Sequence, residues 1–336
     1  MTKTHDPRIS EIFYYFSDHT DIRTGRTVGR KIGVIQEIII KKFLSSNQDI
    51  RDCLIYEPKL RGKSGATHKV EFVLFSPISI INLEVKNKFR MLSPSIEINL
   101  KSIDFDKKLA KIEICTGETK ISKNLKVDQS FQFELVFNNK PNNLFLKLIT
   151  VNQKNCRISI LNGLLPIASI ESKRVGAQRF SSSDKLGSGI QTIEKAKQTS
   201  LVAIDFDLQF NDELLVNSQI NDQRKFRSFA LLGNGVHWTD HDLSVLETYV
   251  DYTFQVKDDA IIRYADYVKK IALEKKLPFF EFFMDYFYGM TVAPEDNFLV
   301  TENDFLKLRP LGKNSDKNLV DLVKMQIPQC NILNKC

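Results

Sequence analysis

The chain has 336 residues, 42% of them apolar, with 48 Lys plus Arg against 41 Asp plus Glu, a formal net charge of +7 and a pI near 9.0. That is apolar material for one large domain or two ordinary ones, and the basic surplus suits a phosphate-bearing partner without selecting one. No run of about eighteen apolar residues occurs and MTKTHDPRIS has no apolar signal segment, so neither a membrane span nor secretion is expected, and the five cysteines (Cys53, Cys115, Cys156, Cys330, Cys336), scattered without CxxC spacing, argue against a zinc cluster and a disulfide framework.

The first thirty residues are polar and mixed and lead into a small, basic cluster, TGRTVGRK. From Val28 to Leu44 the apolar residues Val28, Ile32, Ile35, Ile39 and Phe43 recur at helical spacing, which predicts an amphipathic helix carrying Glu37. Next, RGKSGATH reads as a turn into a β-rich segment in which Glu71 is followed by Phe72 to Phe75. Thirteen residues after Glu71, the apolar run ISIINL ends in the triplet Glu84-Val85-Lys86. The same triplet also reads as a Lys–Glu ladder on an exposed hairpin.

Residues 90–160 alternate apolar and polar in SIEINLKSIDF, KLAKIEICTG, SFQFELVF, LFLKLITV and CRISIL, separated by turns such as NNKPNN. Five strands with lysine on one face predict a sheet half buried and half wet, either an insertion in a larger fold or a β-sandwich-like unit.

A second triplet closes the apolar run Leu164 to Ile170. Side chains alternate along a strand, so Glu171 and Lys173 share one face and Ser172 takes the other. A Ser- and Gly-rich loop with Arg174, Arg179 and Lys185 follows, then a candidate helix from Gly189 to Lys197 bearing Gln191, Glu194 and Lys195, then an apolar strand, LVAIDFDL, at Leu201 to Leu208. The bland alternative is a solvated Glu–Lys pair on an edge strand.

Past Phe210, LLGNGVHWTDHD holds His237, Asp240, His241 and Asp242 and reads as a turn rather than a metal site. Asp258 to Lys276 is predicted helical from its apolar side, Ile261, Ile262, Tyr264, Ala265, Val268 and Ile271. FFEFFMDYFYGM, Phe279 to Met290, is aromatic-dense, as a core stripe or subunit contact would be.

Strand, helix, strand with Glu-x-Lys at the end of the first strand resembles the core of the PD-(D/E)xK nucleases, the superfamily that holds most type II restriction endonucleases. Its catalytic acids lie on two neighbouring strands. The second acid and its lysine are here Glu171 and Lys173, or Glu84 and Lys86. The first is Glu71, where the family usually has aspartate after a proline. Upstream of Glu171 there is no nearby acid, whereas after Lys86 nothing helical follows. We therefore expect a composite core: the first helix, the strand of Glu71, a β insertion, then Glu171-Ser172-Lys173. In the family the first helix often carries a glutamate facing the site, for which Glu37 is the candidate; a solvated pair with Lys41 is the alternative.

The resemblance implies an α/β (α+β) fold, a mixed sheet flanked by helices with a large β-rich insertion. A catalytic region at 1–210 and a mostly helical region at 211–336 for DNA recognition or dimerisation are expected. It implies Mg²⁺ held by Glu71 and Glu171, and phosphate or base contacts from Arg174, Arg179 and Lys185. The implied activity is that of a type II restriction endonuclease hydrolysing double-stranded DNA at a short specific sequence. A homodimer, a cognate DNA methyltransferase and a cytoplasmic location come with it. A non-catalytic nucleic-acid-binding protein with a β platform is the other reading.

Overall fold

The computed structural model describes residues 25–58, 60–61, 67–68, 70–84, 89–93, 96–104, 109–116, 119–126, 130–137, 140–150, 155–173, 226–233, 250–274, 298–308, 316–330 and 332–335. Helix α1, Gly25–Ser46, forms over the segment that the apolar spacing predicts and buries Ile35, Ile39, Ile40, Phe43 and Leu44. It ends where the Ser46 hydroxyl donates to the Phe43 carbonyl at 2.7 Å, and Asn47 caps the next helix, α2 (Gln48–Cys53), by accepting from the Ile50 amide. The chain then turns into β1, Leu54–Tyr56.

Among the described residues, nine strands form one mixed sheet, which bears out a mixed α/β fold at the level of class. Its central order is β1, β4 (Phe72–Glu84), β11 (Asn155–Lys173), β12 (Arg227–Gly233), β13 (Tyr252–Val256) and β14 (Phe305–Lys307). Strands β1, β4 and β11 run antiparallel in turn, β11, β12 and β13 run parallel, and β14 closes the edge antiparallel. The short β2 (Leu60–Arg61) and β3 (Thr67–His68) make a separate ribbon before β4.

The apolar face formed by Phe72, Leu74, Ala168, Ile170, Phe229, Leu231, Tyr252 and Phe254 is covered by α1, by helix α3 (Asp258–Glu274) and by helix α4 (Leu319–Lys324). Helix α3 contributes Ile261, Tyr264, Ala265 and Val268, the side predicted from spacing. Phe43 of α1 stacks on Phe305 of β14 with ring centroids 4.4 Å apart, so the first helix reaches across the sheet to its far edge.

The long β4–β11 ladder is broken in the middle. Leu161 opposes Pro77 and Pro166 opposes Phe75, so β11 spends several extra residues against one on β4. Proline has no amide hydrogen to give a ladder, and the two prolines mark the place where the strand bulges and changes direction. Beyond the bulge, β11 pairs with β10 (Lys140–Thr150), which pairs in turn with β9 (Ser130–Phe137).

Strands β5 (Phe89–Ser93), β6 (Ile96–Asp104), β7 (Leu109–Thr116) and β8 (Thr119–Lys126) make a second, antiparallel sheet. Its Ala110, Ile112 and Ile114 pack with Ile81, Leu146, Ile158 and Ile160 of the main sheet. The β-rich stretch at 90–160 is thus divided. Its first four strands form the added sheet, while β9, β10 and the start of β11 belong to the main one. Strand β8 escapes the sequence reading because TKISKNLK has too few apolar residues to show its alternation.

Two features go beyond the sequence reading. The parallel neighbour of β11 among the described residues is Arg227–Gly233, a segment not singled out in the sequence; the expected helix at 189–197 and strand at 201–208 lie outside the described residues. The region 211–336 also contributes strands, since β12, β13, β14 and β15 (Ile332–Lys335) all join the main sheet, with β15 running parallel to β4. These strands are short: FALLG is too nearly all-apolar to show a period of two, and YTFQV alternates over only five residues. The sheet therefore crosses the boundary expected near residue 210.

Candidate active site

The last ladder pair of β4 and β11 is Phe72 with Ile170, and one residue beyond it stand Glu71 and Glu171. Two acids that the sequence separates by a hundred positions are thus brought to one place by antiparallel pairing. The Glu71 amide donates to Glu171 Oε2 at 3.4 Å, and the Ser172 amide donates to Glu71 Oε2. Glu171 is 4% exposed and Glu71 is partly buried. Lys173 follows in β11 at the register position of Leu232.

Glu84 is at the other end. It opposes Asn155 in the ladder, thirteen residues along β4 from Glu71, or roughly 40 Å at ~3.3 Å per residue. Of the two alternatives, the ladder therefore brings Glu71 to Glu171 and puts Glu84 at the opposite end. Lys86 lies outside the described residues, as do Arg174, Arg179 and Lys185, the candidate DNA contacts, and Gln191, Glu194 and Lys195. The cluster of His237, Asp240, His241 and Asp242 also lies outside them.

Glu37, the candidate acid of the first helix, accepts from the Tyr56 hydroxyl at Oε2, 3.0 Å away. Burial pushes the Tyr56 phenol up from its ordinary value, and the carboxylates of Glu37, Glu57 and Glu71 push it the same way. Tyr56 thus stays protonated and serves as a hydrogen-bond donor at the edge of an electronegative site. Lys41 lies 5.4 Å from the Tyr56 ring centroid, a cation against the ring face. Glu57 has a positive φ of 41°, and its amide donates to the Glu71 carbonyl at 2.7 Å, which extends the β1–β4 pairing by one bond to the level of Glu71.

The residue that sequence reasoning missed is Gln36. It is fully buried, and its Nε2 donates to Ser172 Oγ at 2.9 Å and to the Leu231 carbonyl at 3.1 Å. Ser172 and Leu231 are ladder partners, so one amide group ties α1 to both strands at the level of the triplet. Its Oε1 has no hydrogen-bond partner among the described residues. Two hydrogen bonds contribute about 0.5–1.5 kcal/mol each, while one buried acceptor left unmatched costs about 1–3 kcal/mol. The sum is near zero, and an apolar side chain of similar volume would serve stability equally well. A signal was present, because Gln36 falls within the apolar stripe of Ile32, Ile35, Ile39 and Phe43.

Among the described residues, no group of three or more His, Cys, Asp or Glu side chains is placed to hold a metal ion, and no helix is long and apolar enough to cross a membrane. Comparison with known proteins gives no family model that matches the chain and no match among curated proteins.

Proposed function

We propose that the chain is a Mg²⁺-dependent endonuclease of PD-(D/E)xK type that hydrolyses double-stranded DNA at a short specific sequence, as type II restriction enzymes do. The observation that carries this reading is the meeting of Glu71 with Glu171 at the β4–β11 junction, with Lys173 two residues further along the same strand. An acid on one strand, Glu-x-Lys on its antiparallel neighbour, a parallel strand beyond and a helix packed beneath form the arrangement of that family.

The donor set fits the metal. Mg²⁺ prefers hard oxygen ligands and is commonly bound by one or two carboxylates, with water and substrate phosphate completing the shell. Glu71 and Glu171 supply two such carboxylates, one of them buried where competing water is scarce. When bound, the ion polarises the scissile phosphate and lowers the pKa of a coordinated water. In this reading Glu71 and Glu171 hold it against the phosphate. Lys173 orients the attacking water and offsets the negative charge that develops on the phosphate oxygens. The basic surplus of the chain favours association with a polyanion. The loop bearing Arg174, Arg179 and Lys185 is the candidate for backbone and base contacts, and a homodimer would present two such sites to the two strands. A restriction activity further entails a cytoplasmic location and a partner DNA methyltransferase that protects the host's own sites.

The test is digestion of a panel of phage and plasmid DNAs that together contain every eight-base word, with Mg²⁺ and with EDTA. Discrete, EDTA-sensitive fragments are the expected result. Salt-sensitive binding without cutting anywhere on the panel would overturn the nuclease reading in favour of a non-catalytic DNA-binding protein.

A further inference from the structure

Resting on the nuclease reading, we infer that Gln36 is a positioning residue that sets the Glu171-Ser172-Lys173 triplet against Glu71. Ser172 is held from two sides. Its amide donates to the Glu71 carboxylate, and its hydroxyl accepts from Gln36 Nε2 at 2.9 Å. Because side chains alternate along β11, fixing Ser172 toward the helix fixes Glu171 on the opposite face. The second Gln36 hydrogen bond, to the Leu231 carbonyl at 3.1 Å, locks the same rung of the β11–β12 ladder. Gln36 is fully buried in the apolar stripe of α1, and one of its polar atoms is unmatched among the described residues. A side chain selected for packing alone would not be an amide there. Its role is to transmit the placement of a rigid, well-packed helix to the strand that carries the reactive groups, which a metal site with only two protein carboxylates requires.

The experiment compares Gln36→Met, which keeps volume and helix preference while removing both donors, with Ser172→Ala, which removes the acceptor. The readouts are Mn²⁺ binding measured by electron paramagnetic resonance on the DNA-free protein, thermal unfolding, and single-turnover cutting at saturating DNA. Both variants should unfold within a few degrees of the parent protein. Each should bind Mn²⁺ about tenfold more weakly and cut about tenfold or more slowly, with DNA affinity within threefold. The double variant should be no worse than either single one, because both remove the same contact. Mn²⁺ affinity within twofold of the parent in Gln36→Met and Ser172→Ala, while Glu171→Gln loses binding, would overturn the role given to Gln36 and leave the nuclease reading standing. Unchanged Mn²⁺ binding in both Glu71→Gln and Glu171→Gln would overturn the metal site itself, and the role of Gln36 with it.

Discussion

Glu71 and Glu171 hold each other's strands: the amide of Glu71 donates to the Glu171 carboxylate at 3.4 Å, and the carboxylate of Glu71 accepts from the amide that follows Glu171. Like charges facing each other across an antiparallel pair are destabilising, and under the proposed function Glu71 and Glu171 would hold a divalent cation that offsets this repulsion. Binding to the folded state alone raises stability, by about 1.4 kcal/mol at ten times Kd. The unfolding midpoint should therefore rise by a few degrees in millimolar Mg²⁺ or Mn²⁺. Glu71→Gln and Glu171→Gln should lose this shift together with all cutting, measured by scanning fluorimetry beside the digestion assay. A metal-induced shift that survives in both variants would place the ion elsewhere.

The two Glu-x-Lys triplets stand at opposite ends of one ladder, since Ile170 pairs with Phe72 and Asn155 with Glu84. Only one can act with Glu71. Lys173→Ala should reduce single-turnover cutting by a factor of about 10³ or more while DNA binding stays within a few fold, a loss on the order of 4 kcal/mol of transition-state stabilisation. Lys86→Ala should cut at close to the parental rate. The reverse pattern would move the site to the Glu84 end of the sheet.

How much of this was legible in the sequence depended on the range of the signal. Helix α1 and helix α3 declared themselves by local periodicity. So did five of the seven strands from β5 to β11, because alternation is a property of neighbours. The choice between Glu84 and Glu171 was not local, because both triplets close apolar runs, and only the register of β4 on β11 decides which meets Glu71. Composite assembly could be argued from the missing acid upstream of Glu171, a gap that only a distant strand could fill. Glu37 is held by the Tyr56 hydroxyl, a partner 19 residues away that its helical spacing could not name. The apolar centre of β12 shows no alternation and β13 alternates over only five residues, and their parallel pairing is a tertiary fact.

The half of β11 beyond the bulge is fixed by a buried ion pair. Arg157 donates to Asp52 at 2.7 Å and to Asn82 at 2.7 Å, while Gln48 donates to the other Asp52 oxygen at 2.8 Å. Asp52 is 1% exposed, and burial, outweighing the Arg157 guanidinium, holds its carboxyl above the usual range. Removing the guanidinium strands this carboxylate in a site built for a pair. Arg157→Met should cost about 3–5 kcal/mol in urea denaturation, and Arg157→Met with Asp52→Asn should recover a large part of that loss. A cost below about 1 kcal/mol for Arg157→Met would show that the pair contributes little to the junction of α2 with the sheet.

Cys156 gives the protein an alkaline limit. Its side chain is 1% exposed among Ile81, Ile158 and Ile160, and burial pushes the thiol up from an ordinary 9.0 to about 11. Below pH 9 the thiol is protonated in both folded and unfolded chains and its contribution to stability is complete. Between about pH 9 and 11 the unfolded chain gives up the proton and the folded chain keeps it. The unfolded state then binds fewer protons, and stability falls as pH rises, by up to about 1.4 kcal/mol per pH unit and roughly 3 kcal/mol across the window. Burial raises Cys53 and Cys330 as well, so their thiols add to the same slope. Urea denaturation at intervals from pH 8 to 11 should show the decline, and Cys156→Ala should flatten it by one proton's worth while leaving the profile below pH 9 parallel to the parent's. In the folded protein at pH 8, Cys156 should resist iodoacetamide until urea exposes it. An unchanged alkaline slope in Cys156→Ala, or rapid native-state alkylation at that residue, would show that the thiol is not held in the dry interior described above.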